Sequence, residues 1–285
     1  MAVTTRVLSW GCHQSGVDSL EIKSIQSQVI RPSCLPQPKH SNPVVKKADF
    51  AIVHSPRDTK IAETYCKVDD AGFDLSHMMG TRTKRMAMAA GIEVKQGGGN
   101  AQEALAQLAI WLASGYIHLR GLQIAGRAKQ LVKDSIAVDS DVANSGNPDP
   151  MGVAPTLSSN SSKRLSSSRP TVTDPSASQE LTNGLDPRAI STPKDLKLLS
   201  PPDCFPMVGW TAVGHDWQTY IGCNTTGDDG EHQINIFGPF PRISASTRTL
   251  YEIFKLLALM ERVKQWAKER HWKWLRENVL MPLIT

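Results

Sequence analysis

The sequence predicts an α/β fold, with a central mixed sheet flanked by helices, and three observations predict it. Two short apolar runs, Lys47 to His54 and Met86 to Lys95, each carry an isolated acid where a core strand normally has none. A glycine turn and an amphipathic helix follow the second run directly. Three further strand-like runs then lead into a long C-terminal helix. At 285 residues and 40% hydrophobic content, the chain is long enough to bury such a core.

The first run, Lys47-Ala48-Asp49-Phe50-Ala51-Ile52-Val53-His54, reads as a strand interrupted by one carboxylate, and MAMAAGIEVK over Met86 to Lys95 reads as a second. Gly97-Gly98-Gly99 makes a turn, Asn100 is a good N-cap, and a helix is predicted from Ala101 to Leu119. Its apolar residues are Leu105, Leu108, Ile110, Trp111, Leu112 and Tyr116. The GGGN sequence lacks the spacing and the Lys-Ser or Lys-Thr of a phosphate-binding P-loop, so a plain turn is the better reading.

From Ser135 to Pro202 the chain is dominated by Ser, Pro, Thr, Asn and Asp, without aromatics, which is the composition of a disordered insert. Residues 1–134 and 203–285 are therefore expected to be two parts of one domain. In the second part, Met207 to Val213, Gln218 to Gly222 and Gln233 to Phe237 are strand-like. They are separated by Gly214-His215-Asp216 and by the hairpin signal Thr225-Thr226-Gly227-Asp228-Asp229-Gly230. A helix is predicted from Ser244 or Ser246, with Leu250, Ile253, Leu257, Met260, Val263 and Ala267 facing the sheet. Trp266, Trp272 and Trp274 thicken its end; stacking on nucleotides and core packing both use such residues.

The net charge is +5, and from Arg248 onward eight Lys or Arg face four Glu. This bias suits an anionic partner, and a solvated helix face gives the same count. The five cysteines are odd in number and lack CxxC spacing, which indicates neither a disulfide framework nor a zinc site. With no secretory signal and no run of roughly 20 apolar residues, an intracellular, non-membrane location is expected.

Two-residue periodicity places Glu93 and Lys95 on one face of their strand and Val94 on the other. If the Asp49 strand pairs beside it, two carboxylates and an ammonium converge. Carboxylates are hard oxygen ligands suited to Mg²⁺ or Mn²⁺, and the ammonium suits orienting a water and stabilising developing negative charge. By spacing alone, a surface ion pair between Glu93 and a neighbouring cation accounts for the triplet equally well. His215 and Asp216 could serve acid–base work, and a tight turn explains them too.

Taken together, these blocks resemble the fungal PD-(D/E)XK nuclease-like proteins. ADFAIV around Asp49 is similar to the family's strand with the metal-binding Asp, and GIEVKQ to its ExK strand. EALAQLAIWLASGY resembles the following helix, where Gln107 sits like the glutamine often found behind the site. PMVGWTAVGHDWQTYIG and the terminal LYEIFKLLALMERVKQWAKERHWKWLRENVL resemble two later blocks. The match runs from roughly Ser19 to Leu280 outside the Ser-rich insert. Two departures stand out: Ala48 replaces the proline before Asp49, and the N-terminal helical portion reads as shortened, with neither Asp18 nor Glu21 equated with a helical ligand.

The resemblance implies a restriction-endonuclease-like core and Mg²⁺- or Mn²⁺-dependent phosphodiester hydrolysis, with DNA as substrate before RNA. Asp49 and Glu93 are then the metal ligands, Lys95 serves the attacking water and Gln107 supports the site. Two other classes compete. One is a non-catalytic accessory protein that keeps the fold, for example within a fungal natural-product gene cluster. The other is a small-molecule enzyme built on His215 and Asp216, which requires a closed apolar pocket at that turn.

Overall fold

A computed structural model describes residues 19–36, 48–144, 205–226 and 232–285. The chain's contacts separate it into two units, residues 1–133 with 199–285 and residues 134–198. Of the second, only 134–144 are described. The Ser-rich insert from residue 145 and the turn at 227–231 lie outside the described residues.

The first unit is built on a seven-stranded mixed sheet flanked by helices. Its strands are β1 (Leu20–Ser24), β2 (Phe50–His54), β3 (Met88–Lys95), β4 (Met207–Val213), β5 (Asp216–Thr226), β6 (His232–Phe237) and β7 (Ala245–Ser246). They lie in sequence order from β1 to β6, with β7 pairing on β5. Only β3 and β4 run parallel; the other neighbours are antiparallel. A parallel pair needs a crossover, and here it contains the helix α2 (Ala101–Asn144).

Each face of the sheet carries its own core. On one, Ala51, Val53 and Met88 pack with Leu108, Trp111, Leu112 and Tyr116 of α2 and with Leu275 and Val279 near the C-terminus. On the other, Ile52, Ile92, Trp210, Ala212 and Trp217 meet Leu256, Met260, Val263 and Ala267. Period-two alternation along the strands makes this division, and a register shift where Val53 pairs with Met88 puts Met88 on the opposite face from Ala90 and Ile92.

Several elements differ from expectation. Strand β1 joins the sheet edge, and α1 (Thr59–Asp70) was not predicted. It is capped by Asp58, whose side chain accepts from the N–H groups of Lys60 and Ile61, and buries Ile61, Tyr65 and Val68. Helix α2 runs on past Leu119 to Asn144, because helix-forming residues without proline follow and Leu122 stays buried. Its last ten residues thus occupy the start of the segment expected as insert.

Helix α3 (Leu250–Trp266) starts later than Ser246, capped by the Thr249 side chain on the N–H of Glu252. Its inward stripe is Leu256, Met260, Val263 and Ala267, whereas Leu250 is 74% exposed. The chain continues helically to Ile284 through two five-residue π turns, Ala267–His271 and Arg276–Leu280. There Trp266 and Trp274 stack on Phe205, and Trp272 packs on His54.

Candidate active site

Asp49 stands at the bend that opens β2, held by its backbone from both sides. Its N–H donates to the carbonyl of Ile92 at 3.0 Å, and its carbonyl accepts from the N–H of Ile25 at 2.9 Å. Phe50 pairs with Ile92, so one step along the register brings Asp49 beside Glu93. The Asp49 carboxylate accepts a hydrogen bond from the N–H of Val94 at 2.7 Å.

Gly91, Glu93 and Lys95 share the face of β3 that α2 covers. A Cβ on Gly91 would lie 2.6 Å from the Trp111 ring, and one on Gly209, its partner in β4, 2.8 Å from Leu108. The two glycines therefore let α2 approach the sheet closely. Gln107 and Glu103, one and two turns before Trp111, are carried over the end of β3. Asn100 fixes where that helix starts, its side chain accepting from the N–H groups of Gln102 and Glu103.

Lys95 is the centre of the resulting network. Its Nζ donates to Gln107 Oε1 at 2.9 Å and pairs with Glu93 Oε1 at 3.2 Å and Glu103 Oε1 at 3.5 Å. Gln107 Nε2 donates in turn to Glu103 Oε1 at 2.9 Å. Partial burial pulls the Lys95 pKa down, but the Glu93 and Glu103 carboxylates outweigh it and hold it above the ordinary value.

Glu93 is only 1% exposed. That excludes a surface ion pair as the account of the triplet. Among the described residues its Oε2 has no hydrogen-bond partner, and neither has the buried Oγ1 of Thr211, which faces it in the parallel register. Burial first, and then the charge of Asp49, push the Glu93 carboxyl up to about 7.

A family model described as the PD-(D/E)XK nuclease superfamily matches residues 1–272. The chain belongs to the PD-(D/E)XK nuclease superfamily. No curated protein and no solved structure matches it. The mixed sheet flanked by helices is consistent with the restriction-endonuclease-like fold of this superfamily, whose nucleases generally use Mg²⁺ or Mn²⁺.

The residues present suit such an ion. An unpartnered carboxylate oxygen in a buried site, with a second carboxylate next to it, is an uncompensated negative charge that a hard cation relieves. Among the described residues, no group of three or more His, Cys, Asp or Glu gathers to hold a metal. Mg²⁺ commonly binds through one or two carboxylates and fills its other positions with water and phosphate oxygens.

Glu103 and Thr211 are two neighbours of the candidate site that the sequence alone did not single out. Asn100 three residues before Glu103 was a usable sign, because it fixes which face of α2 looks at Lys95. Nothing local singles out Thr211. Glu21 lies elsewhere, paired with Lys23 at 3.1 Å and in register with Val53, far along β2 from Asp49.

His215 and Asp216 form a turn on the exposed surface, with Gly214 in the left-handed region at φ 61°. His215 bonds the Thr247 hydroxyl at 2.9 Å and Asp216 pairs with Arg248 at 2.8 Å. These are turn contacts on an open surface, not the lining of a closed apolar pocket. The Gly214 N–H donates to the carbonyl of Lys95 at 3.0 Å, which ties this turn to the end of β3.

Proposed function

We propose that the chain is a metal-dependent phosphodiesterase that cleaves DNA at Asp49, Glu93 and Lys95. The observation that carries this reading is the buried Glu93 carboxylate, with one oxygen unpartnered, between Asp49 and the Lys95 ammonium. Asp49 and Glu93 hold the ion. An ion held there, Mg²⁺ or Mn²⁺, would supply Lewis-acid chemistry for phosphodiester hydrolysis.

Lys95 orients the attacking water and stabilises the charge developing on the phosphate, a task suited to a compact ammonium in a partly desolvated site. Its contacts to Glu93 and Glu103 keep it protonated. Gln107 is a positioning residue: it accepts from Lys95 and donates to Glu103, which fixes the direction of the ammonium.

The test incubates purified protein with plasmid and single-stranded DNA in Mg²⁺ or Mn²⁺, beside Lys95→Ala. We expect cleavage by the wild type and a loss of about a hundredfold or more in the variant. Equal activity in both would trace cleavage to a contaminant and sink the assignment. Cleavage by neither would leave an accessory protein that keeps the fold without turnover.

A further inference from the structure

Helix α3 carries apolar residues on its solvent side as well as its core side. Leu250, Tyr251 and Phe254 are 74%, 75% and 65% exposed, and Ala258 continues the stripe one turn on. The inward stripe of Leu256, Met260 and Val263 already fills the core position, so packing within the described residues does not account for the outward rings. Single exposed apolar residues need no explanation, but three within five positions of one helix do.

Beside this stripe lies a cleft of about 150 Å³. Arg242, Lys255 and Arg262 line it over a floor that includes Ile243 and Leu259, and among the described residues no acid lines it. Lys255 touches Glu252 only at 3.8 Å, and Glu261 is engaged by Lys264 at 3.0 Å. The cleft therefore presents cations with little local compensation.

The cleft lies on the side of the sheet that α3 covers, opposite the side that carries Glu93 and Lys95, and the two meet only at the end of β3. The carbonyl of Lys95 holds the Gly214 turn, and the His215 carbonyl accepts from the N–H of Thr247. Asp216 and Trp217 pair with β7, and the N–H of Ser246 donates to Glu252 in the first turn of α3. These hydrogen bonds and strand pairings lead from the end of β3 to the first turn of α3.

We infer that the outward face of α3 and the adjoining cleft form a docking surface for single-stranded nucleic acid. Tyr251 and Phe254 stack unpaired bases, which present a π-face only when they are not in a duplex. Arg242, Lys255 and Arg262 contact the phosphates. Charge complementarity selects this occupant over a second copy of the chain. An isologous dimer through the stripe would bring both sets of cations into one interface.

The inference takes nucleic acid as the substrate class from the proposed function but does not depend on turnover. Binding of a fluorescent 20-nucleotide single strand is therefore measured in EDTA, where hydrolysis does not interfere. The double variant Tyr251→Ala/Phe254→Ala is expected to bind about tenfold or more weakly, since each stacked base is worth that order. Arg242→Ala/Lys255→Ala/Arg262→Ala is expected to flatten the plot of log affinity against log salt by about two. Blunt duplex binding should not respond to the aromatic variant.

The inference is overturned if the aromatic variant binds the single strand as the wild type does, or if it weakens duplex binding equally. It is also overturned if the wild type binds no strand and sediments as a dimer that Phe254→Glu dissociates. Intact binding without cleavage in Mg²⁺ would sink the catalytic reading alone. Cleavage with binding indifferent to both variants would sink the docking surface alone.

Discussion

Glu93 is buried with one carboxylate oxygen unpartnered and Asp49 beside it, so ionising it works against the metal-free fold. Its folded pKa of about 7 lies above the ordinary 4.5. The unfolded chain releases this proton first, so stability is lost as pH rises from about 4.5 to 7 and stays lost above. Without metal, Glu93→Gln should gain up to about 3 kcal/mol at pH 8 and nothing near pH 4. Added Mg²⁺ should reverse the order at pH 8. Melting curves at both pH values check this, and equal midpoints in EDTA at pH 8 would refute it.

Asp49, Glu93 and Lys95 are legible in the sequence because each breaks an apolar strand pattern, and Gln107 is legible only through the family resemblance. Glu103 and Thr211 are not. Glu103 sits in an ordinary polar first turn, and its bond to Gln107 matters only once α2 lies over β3. Thr211 reaches Glu93 across a parallel pairing that no local signal announces.

Among elements, the close seating of α2 on β3 rests on Gly91. Adding a methyl group there drives it to 2.6 Å from the Trp111 ring, deep in the core, and should cost about 1–3 kcal/mol. Gly121→Ala in the same helix meets nothing within 4 Å and should instead stabilise by about 0.5–1 kcal/mol. Denaturant midpoints distinguish the two. If both substitutions shift the midpoint the same way, the glycine at 91 is not what seats the helix.

The strands are readable wherever alternation is clean, and β3 and β4 are recovered nearly to their ends. Helix α1 escapes because only Ile61, Tyr65 and Val68 are buried in it, too sparse an apolar face against its charged residues. For α3 the helix itself is legible but its phase is not. Apolar residues occupy both sides of its first turns, so periodicity alone cannot say which side meets the sheet.

At the scale of the molecule, buried histidines govern behaviour in acid. His54 and His271 lie 3.0 Å apart, nitrogen to nitrogen, fully enclosed, and His77 stacks edge-on against Trp111. Burial holds His271 and His118 down to about 4 and His77 to about 3, and lowers His54 well below its ordinary value. Since these pKa values fall below 6.5, the unfolded chain takes protons first. Stability is therefore intact above pH 6.5 and declines as pH falls toward 4.

His271, His118 and His77 each remove about 2 kcal/mol by pH 5, against a total of roughly 5–15 kcal/mol for a typical domain. Circular dichroism against pH should show unfolding that begins between pH 6 and 5. A fold that holds until below pH 4 would contradict this account.

The parallel pairing of β3 with β4 also has a consequence in time. Thr211, the neighbour of Glu93 across that pairing, lies roughly 120 residues further along the chain. At about 5–20 residues per second, a ribosome reaches it roughly 6–24 s after Glu93 is made. Through that interval β3 has β2 as its strand neighbour and lacks β4 on its other edge. The acid that burial pushes up to about 7 reaches its final surroundings only when β4 docks and brings Thr211 beside it.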